Sequence, residues 1–347
     1  MNEFVKGDAV DTRPEDEKAR DWKASDMFGA SSQDWKEVGQ WMNDYSLRNQ
    51  DGSSMCMAFS LAKHLGINNH RESGEFVDLS PVFIYRQRAN APAEGMWLQN
   101  VLEIGVKSGS PKDSWLPSDD KSEGWANKSP EPSQAVKEEA LAYRGKGYVQ
   151  TDAYSIDQIA QAIDVAGSCI VRVACNVREW TKEPFADPSV PESDWNVRHG
   201  VVATQYGTVG GKRFIKVEDS WGSRHGRNGA RLLSEDFISK RMMGGGYVID
   251  LDNPKIVKLK YKFSTDLRRA RAYSKDVAYL QKILVLEGCM SESDVALFPG
   301  YFGPKTEDAV KRFQLKYAPE ILAPLGLKSP TGIVGPSTRK KLNSLYW

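Results

Sequence analysis

Apolar residues in the first half of the chain recur at the three- and four-residue spacing of amphipathic helices. This spacing predicts a helix over 55–65, closed by Gly66, because glycine is the residue expected just past a helix end. Two further helices are predicted at 80–88 and 97–108, and helical spacing returns at 155–166. The first half is therefore predicted to be mainly helical.

In the second half the pattern changes to the alternation of apolar and polar residues that is typical of strands. Strands are predicted at 169–175, 201–206 and 213–217. The last two are separated by Gly210 and Gly211, a strong signal for a hairpin turn. A helical half followed by a β-rich half predicts an α+β fold rather than alternating βαβ units.

An internal repeat marks the C-terminal part of the chain. The sequence GYFGPKT at 300–306 returns 32 residues later as GIVGPST at 332–338. Each copy leads into a helical pattern, at 307–314 and 339–346, and a further helix is predicted at 275–287. Proline after glycine explains both helix starts, since proline is favoured at the first helical position. This part is predicted to form a small helical bundle.

These patterns predict four segments along the chain. They are an N-terminal arm at 1–34, an α+β domain at 35–255, a linker at 256–267 and a helical domain at 268–347. Within the α+β domain, residues 117–135 are rich in serine, proline and charge, and are predicted to form a surface loop.

Composition narrows the class of protein. The 347 residues carry a formal net charge of +1, which argues against nucleic-acid binding by the chain as a whole. From Lys262 to Trp347 there are fourteen basic and eight acidic residues, a surplus that would favour an anionic partner such as cell wall. Mean hydropathy is −0.52, and no run of eighteen apolar residues predicts a membrane span. The charged N-terminus lacks the apolar stretch of a secretory signal.

Cysteine supplies the candidate chemistry. The four cysteines form no CxxC pair, so neither a disulfide framework nor a zinc site is predicted, and we expect no metal or cofactor. Cys56 lies in the first turn of the helix predicted at 55–65, where the partial positive charge of the helix N-terminus favours a thiolate. Gln50 lies six residues upstream across a Gly/Ser turn. Its side-chain NH2 and the Cys56 N–H could bind a developing oxyanion.

The segment around Cys56 resembles the papain family of cysteine peptidases, whose pattern is Q-x-G-C-G-x-C-W-A-F. The positions that match in register are Gln50, Gly52, Cys56, Ala58 and Phe59. Ser53 replaces a structural cysteine of that family and Met57 replaces its usual tryptophan. The resemblance implies a papain-like fold, with Cys56 as nucleophile and the active site between a helical and a β-rich half.

The second half of this resemblance lies on the predicted hairpin. His199 opens one strand and Asp219 closes the other, so hairpin pairing could bring them together. His199 would be the general base for Cys56, and Asp219, where the family usually has asparagine, would hold the imidazole. Trp221 matches the indole that shields this pair in the family, and it is predicted, with Gly95, to line the substrate site.

Residues 268–347 resemble the peptidoglycan-binding-domain family. The matching positions are Asp276, Val277, Leu280 and Gln281, then Gly300, Phe302, Gly303, Thr306, Ala309, Val310, Phe313 and Gln314. Leu280, Phe302, Val310 and Phe313 are predicted to form the core of this domain. The resemblance implies peptidoglycan as a partner, while the residues that contact the sugar are not identified.

The two resemblances together predict a Cys-His-Asp peptidase that is targeted to the bacterial cell wall. One alternative is a phage-type lysin that cleaves the peptides of peptidoglycan. Another is a non-catalytic wall or virion binding protein. The expected location is the cell wall or the extracellular space, or, without a visible export signal, release of a phage-encoded protein by lysis. Because residues 1–30 are too short and too polar for the family's helical pro-domain, the full chain is predicted to be active without processing.

Overall fold

The computed structural model describes most of the chain. The described residues are 7–9, 11–14, 33–38, 41, 45–119, 121–152, 154–180, 186, 188–249, 262–270, 274–291, 294–295 and 300–346.

The described chain forms two compact units. The first contains 7–9, 11–14 and the residues described between 33 and 249, and the second contains those described between 262 and 346. The linker predicted at 256–267 lies outside the described residues as far as residue 261.

The first unit is mainly helical up to residue 141, and further helices lie between its strands. Its helices are α1 (Cys56–Ser73), α2 (Pro81–Arg86), α3 (Leu98–Lys107), α4 (Glu123–Lys128), α5 (Gln134–Leu141), α6 (Ile156–Ala166), α7 (Val177–Trp180) and α8 (Glu235–Arg241). Short 3-10 turns lie at Asp113–Trp115 and Glu192–Asp194. Within the described ranges, no helix is both long enough and apolar enough to cross a membrane.

The second half of this unit is built on one antiparallel sheet. Its strands are β1 (Gly147–Thr151), β2 (Cys169–Cys175), β3 (Val197–Val209), β4 (Lys212–Glu218), β5 (Ala230–Ser234) and β6 (Met242–Ile249). They are ordered β1-β6-β2-β3-β4-β5. The predicted α+β class is confirmed, since helices and strands are segregated along the chain rather than alternating regularly.

Helix α1 is the centre of the core. It packs against β2, β3 and β6 on one side and against α2 and α3 on the other. Met57 and Leu61 are fully buried, and Leu65 is nearly so. A helix buried on several sides presents little amphipathic contrast, and α1 is apolar around most of its first three turns.

The predicted end of α1 at Gly66 is wrong. The helix continues to Ser73 and ends at Gly74, which has the left-handed φ of 80° expected there. Gly66 is needed for close packing instead, because a Cβ at this position would lie 2.5 Å from the Val77 carbonyl oxygen and 2.9 Å from the Phe76 ring. A glycine required by a neighbour cannot be distinguished from a helix end by sequence alone.

The surface loop predicted at 117–135 is wrong in part, because α4 lies within it and α5 begins at its end. The serines that indicated a loop are helix N-caps. The hydroxyl of Ser122 accepts a hydrogen bond from the Trp125 N–H at 3.2 Å, and Ser133 accepts one from Val136 at 3.4 Å. Serine favours both turns and N-caps, and here the cap prevails.

The predicted hairpin joins β3 and β4. Gly210 and Gly211 have φ values of 57° and 76°, which match the two-residue turn that glycine favours. Val202 pairs with Glu218 in the antiparallel register, so the residues before 202 on β3 face the segment that follows β4. This register carries His199 toward Asp219.

The second unit is helical in its described residues. It contains α9 (Lys275–Leu286), α10 (Pro304–Lys316), α11 (Ala318–Ile321), a 3-10 turn at Ala323–Leu325, and α12 (Pro336–Tyr346). Pro304 and Pro336 begin α10 and α12, as the repeat predicts. The four residues predicted to form its core are all fully buried.

Two buried glutamines explain why the repeat carries a glycine and a threonine six residues apart. Gln281 accepts a hydrogen bond from the Gly300 N–H at 2.7 Å and donates to the Thr306 hydroxyl at 3.0 Å. In the second copy Gln314 bonds in the same way to the Gly332 N–H and the Thr338 hydroxyl, both at 3.0 Å. Each glutamine thus fastens one turn of the repeat to the preceding helix.

Candidate active site

Cys56 begins α1, so its backbone N–H is one of the free donors in the first turn of the helix. The chain enters this turn through Asp51 and Gly52, both with positive φ, 49° and 76°. The Gly200 N–H donates a hydrogen bond to Cys56 Sγ at 3.3 Å. The sequence-predicted nucleophile therefore lies where α1 meets β3.

The thiol of Cys56 is fully buried in this conformation. Burial raises the pKa of Cys56, and the carboxylates of Asp8 and Asp219 add to the rise against the hydrogen bond from Gly200. The sequence predicts a favoured thiolate at the helix N-terminus. In the closed site of this structure, burial opposes ionisation and favours the protonated thiol.

His199 and Asp219 meet as the hairpin topology predicts. His199 Nε2 and Asp219 Oδ1 are 2.7 Å apart, and both side chains are fully buried. His199 Nδ1 is buried and has no hydrogen-bond partner within the described ranges. The ring therefore has one nitrogen fixed by a carboxylate and the other available, as a general base requires.

Three further groups hold Asp219. The Trp180 indole donates to its Oδ2 at 2.7 Å, Arg231 donates to the same oxygen, and the Ser220 N–H donates to Oδ1 at 2.6 Å. Burial alone would raise the pKa of Asp219, but the charges of His199 and Arg231 and these hydrogen bonds hold it well below its ordinary value. The carboxylate is thus ionised and fixed in position.

Sequence reasoning missed Trp180 and Arg231. Trp180 comes from the short helix α7, and Arg231 comes from β5, which pairs with β4 beside Asp219. Neither belongs to a motif. The signal that could have found Arg231 is a strand pattern at 230–234 following the hairpin, which would place an arginine next to the predicted triad.

Trp221 covers the imidazole of His199. The two rings have centroids 4.5 Å apart at an interplanar angle of 33°, and Trp221 is nearly buried. Trp180 contacts the same imidazole edge-on, at a centroid distance of 5.9 Å. Two indoles therefore shield the His199–Asp219 pair from water, while a direct contact of Trp221 with substrate stays a prediction.

Gln50 is buried between the two halves of the site. Its Oε1 accepts from the Ser220 hydroxyl at 2.6 Å, and its Nε2 donates to the Ser53 carbonyl. A side-chain amide has two N–H donors, so one remains for an oxyanion. The structure places Gln50 against the turn before Cys56 and against Ser220, the residue after Asp219, and its role in an oxyanion hole stays a prediction.

His64 is the alternative histidine on α1 itself, two turns beyond Cys56. Its ring is fully buried, with Nδ1 2.7 Å from the Ser168 hydroxyl and Nε2 bonded to Val248. Burial lowers the pKa of His64 to about 4. These contacts assign His64 to the core, and His199 remains the candidate base.

Residues 7–9, called the N-terminal strap below, lie across the site. The Met96 N–H donates to the Gly7 carbonyl at 3.0 Å, and the Ala9 N–H donates to the Met96 carbonyl at 3.1 Å. Gly7 is buried against Cys56, since a Cβ added to it would lie 2.4 Å from Sγ. The strap thus pairs with the chain beside the groove as an extended peptide would.

The expectation that the full chain is active without processing stays a prediction. In this conformation Gly7 occupies the space in front of the thiol. The sequence did not reveal the strap, because periodicity detects segments that bury apolar faces. The strap instead binds through main-chain hydrogen bonds and the carboxylate of Asp8.

Gly95 does not itself present backbone groups to the strap. Its N–H donates to the Tyr85 hydroxyl and its carbonyl accepts from Asn90, both at 3.1 Å. The neighbouring Met96 makes both hydrogen bonds to the strap. The left-handed Gly95 (φ 73°) directly precedes Met96, and a contact of Gly95 with substrate stays a prediction.

Substituting Gly7→Val is expected to open the site. The new Cβ would lie 2.4 Å from Cys56 Sγ and 3.0 Å from the Ser54 carbonyl oxygen, so the strap cannot keep its place. Forcing extra methyl groups into such a contact costs about 1–3 kcal/mol. We expect alkylation of Cys56 to become at least roughly tenfold faster, as measured by mass spectrometry of the labelled thiol.

The matched control is Gly124→Val, which adds the same side chain on exposed α4, where the nearest atom is the Ser122 hydroxyl at 3.6 Å. It should leave the alkylation rate unchanged. An unchanged rate in Gly7→Val as well would mean that the strap does not limit access to Cys56. A chain lacking residues 1–30 provides an independent comparison.

Comparison with known families gives two matches. The model of the papain family cysteine proteases matches residues 29–240. The model of a peptidoglycan binding domain matches residues 273–342. No curated protein matches the sequence.

Solved structures resemble the first unit. Xylellain, a cysteine protease from Xylella fastidiosa, is 16% identical with a TM-score of 0.58, covering 71% of this chain and 96% of its own. The proform of Amb a 11, a cysteine protease and major ragweed pollen allergen, is 18% identical with a TM-score of 0.50, covering 59% of this chain and 62% of its own. At these identities the likeness establishes the fold, which is papain-like.

Proposed function

Because the chain belongs to the papain family of cysteine proteases, we propose that it hydrolyses peptide bonds at Cys56 while its second unit holds it on bacterial peptidoglycan. The observation that carries the catalytic part is the His199 ring. It is fixed to Asp219 through Nε2, and its Nδ1 has no hydrogen-bond partner among the described residues. The next residue on β3 is Gly200, whose N–H donates to Cys56 Sγ. A cysteine and a histidine so placed support nucleophilic catalysis.

In the first step His199 Nδ1 takes the proton of the Cys56 thiol, and Sγ attacks the carbonyl carbon of the peptide bond. Cys56 and His199 have no mutual hydrogen bond in the closed structure, and catalytic hydrogen bonds commonly tighten when substrate binds. Asp219 accepts the Nε2–H and stabilises the imidazolium that forms. Arg231 and Trp180 keep this carboxylate in place.

The tetrahedral intermediate places negative charge on the former carbonyl oxygen. The Cys56 N–H and the second N–H of Gln50 Nε2 are proposed as its donors, since both belong to the turn that begins α1. His199 then gives its proton to the leaving amine, and an acyl-enzyme forms on Sγ. Water, deprotonated by the same Nδ1, attacks the thioester and restores the thiol.

The second unit has a candidate surface for binding the bacterial cell wall. A cavity of about 210 Å³ lies between the 3-10 turn, the second copy of the repeat and the start of α12. Leu325, Leu327 and Ile333 line it and are exposed, while Thr331 and Ser337 supply hydroxyls at its edge. An apolar cleft with a few polar groups suits the sugar and peptide faces of peptidoglycan.

The catalytic proposal is tested with two substrates offered to the Gly7→Val chain. Hydrolysis of unfolded protein or peptides, lost after alkylation of Cys56, supports a peptidase. Loss of turbidity of purified cell walls would show that the peptides of peptidoglycan are substrates as well, which is the lysin alternative. No hydrolysis of either substrate by a chain whose Cys56 is accessible to alkylation would refute catalysis and leave a wall-binding protein.

Wall binding is tested by co-sedimentation of the full chain with insoluble peptidoglycan. Ile333→Glu places a charge in the apolar cleft and is expected to weaken binding roughly tenfold or more, the effect of burying an unpaired charge. Leu315→Glu is the matched control, since Leu315 is similarly exposed on α10 and lies outside the cleft. Equal binding by both variants would exclude this cleft, and an absence of binding by the parent chain would exclude wall targeting.

A further inference from the structure

Arg172 lies in the sheet beside the nucleophile. It is on β2, where its partner across β3 is Gly200 and its partner across β6 is Gly244. Neither glycine has a side chain to cover the guanidinium. The Gly200 N–H donates to Cys56 Sγ, so Arg172 is one strand away from the reacting sulfur.

The counter-ion of Arg172 is not part of the sheet or of the helices around it. Arg172 Nε donates to Asp8 Oδ1 of the strap at 2.7 Å, where the carboxylate is fully buried and the arginine side chain is 12% exposed. Its Nη1 donates to the Met243 carbonyl at 3.2 Å. Within the described ranges, Asp8 is the carboxylate that pairs with Arg172.

When the strap leaves, this arginine loses its counter-ion. Removing one partner of a largely buried ion pair is costly, because it leaves an uncompensated charge. Arg198 is close enough to lower the pKa of Asp8 as Arg172 does, so the same region holds a second cation. An open groove would therefore present a cationic floor that favours any occupant bringing a carboxylate.

Asp8 is an incomplete ligand for this floor. Its Oδ2 is buried without a hydrogen-bond partner in the described part of the chain. Burial raises the pKa of Asp8 despite the lowering effect of Arg172. A carboxylate that is only half satisfied binds less tightly than a fully bonded one, so a substrate can compete for its place.

The position of Asp8 relates the cation to the scissile bond. Gly7 lies against Cys56 Sγ, and Asp8 is its neighbour in an extended chain paired with Met96. A peptide in the same groove would have one residue over the thiol and the next about 3.8 Å along the chain. The side chain of that next residue would reach Arg172.

We propose that Arg172 determines specificity, selecting peptide substrates that carry aspartate or glutamate next to the residue over Cys56, and that the strap imitates such a substrate. The proposal rests on the peptidase activity proposed above and adds its substrate class, acidic peptides. If Arg172 served only to fasten the strap, an enzyme freed of the strap would cleave acidic and neutral peptides equally well.

The test uses the full chain carrying Gly7→Val and pairs of fluorogenic peptides that differ only in Glu against Gln. The pair is placed at each position within two residues on either side of the cleaved bond. A charge-assisted hydrogen bond corresponds to roughly a tenfold to hundredfold preference in kcat/KM. We expect such a preference for Glu at one position adjoining the residue over Cys56.

Arg172→Gln in this background should abolish the preference while the Gln peptide is still cleaved. Arg172→Glu should reverse the preference, so that the Gln peptide is cleaved faster than the Glu peptide. Arg178→Gln, a change at an exposed arginine on α7, should leave it intact. Equal cleavage of Glu and Gln peptides by the Gly7→Val chain, or a preference that persists in Arg172→Gln, would overturn the inference alone. Cleavage of no peptide despite rapid alkylation of Cys56 would overturn the proposed function and this inference with it.

Discussion

Replacing Cys56 by serine is expected to reduce peptide hydrolysis by roughly 10⁴- to 10⁶-fold, the range seen when a nucleophile or its base is removed. The serine hydroxyl is a far weaker nucleophile than a thiolate, and the site is arranged for sulfur, with a long hydrogen bond of 3.3 Å from the Gly200 N–H. His199→Ala should have a comparable effect, because it removes the nitrogen that accepts the proton. The measurement is kcat/KM on a peptide, made in the Gly7→Val background.

The matched control for this substitution is Cys289→Ser. Cys289 is also a buried thiol without a disulfide, but it lies in the second unit. Its replacement should leave hydrolysis unchanged. The double variant Cys56→Ser with His199→Ala should lose little more than either single variant, because the two residues act together. Full activity in Cys56→Ser would remove Cys56 from the mechanism.

The sequence predicted those parts of the site that belong to local motifs. Cys56 follows from a helix N-terminus after a glycine turn, and His199 and Asp219 follow from hairpin pairing. Arg231 and Arg172 belong to no local motif, so identifying them requires the pairing of the strands that carry them. Their neighbours are set by β5 and β6, and the glycine-rich run Met242–Ile249 does not show the alternation that indicates a strand.

The fold was predictable where one residue type had one role. The repeat predicted α10 and α12, because proline after glycine begins a helix in both copies. Gly66 and the serines before α4 and α5 were misinterpreted, because glycine serves both helix ends and close packing, and serine serves both loops and N-caps. The choice between such roles is made by tertiary contacts, which the pattern along the chain does not contain.

The contact with Arg231 changes the expected effect of replacing Asp219. The papain family usually has asparagine there, so the sequence alone predicts that Asp219→Asn keeps substantial activity. In the structure, however, Asp219 Oδ2 accepts from both Trp180 and Arg231, and Oδ1 faces His199. An asparagine that keeps its oxygen toward His199 turns its NH2 toward Trp180 and Arg231. Both are donors, and an NH2 group cannot accept hydrogen bonds from them. The substitution also removes the buried carboxylate to which the Arg231 guanidinium donates.

We therefore expect Asp219→Asn to lower the free energy of unfolding by about 3–5 kcal/mol, the usual cost of removing one partner of a buried ion pair. Nine of the ten tryptophans lie before residue 250, so tryptophan fluorescence during urea unfolding follows the first unit. Activity should fall as well, since the group that orients His199 is displaced. A free energy of unfolding equal to that of the parent chain would show that the Asp219–Arg231 ion pair does not stabilise the fold.

The double variant Asp219→Asn with Arg231→Met separates charge from orientation. Methionine removes the cation, so the double variant should be more stable than Asp219→Asn alone and should recover part of its activity, giving a favourable coupling in the double-mutant cycle. Arg231→Met alone should shift acid unfolding to higher pH. The folded pKa of Asp219 lies below its unfolded value, so its stabilising effect is complete above the unfolded pKa and is lost as pH falls through the folded one. Without Arg231 the folded pKa of Asp219 rises toward its unfolded value, so Asp219 adds less stability at neutral pH and the chain unfolds at a higher pH. If the double variant were as unstable as Asp219→Asn, the asparagine itself, rather than the loss of the Asp219–Arg231 ion pair, would be the cause.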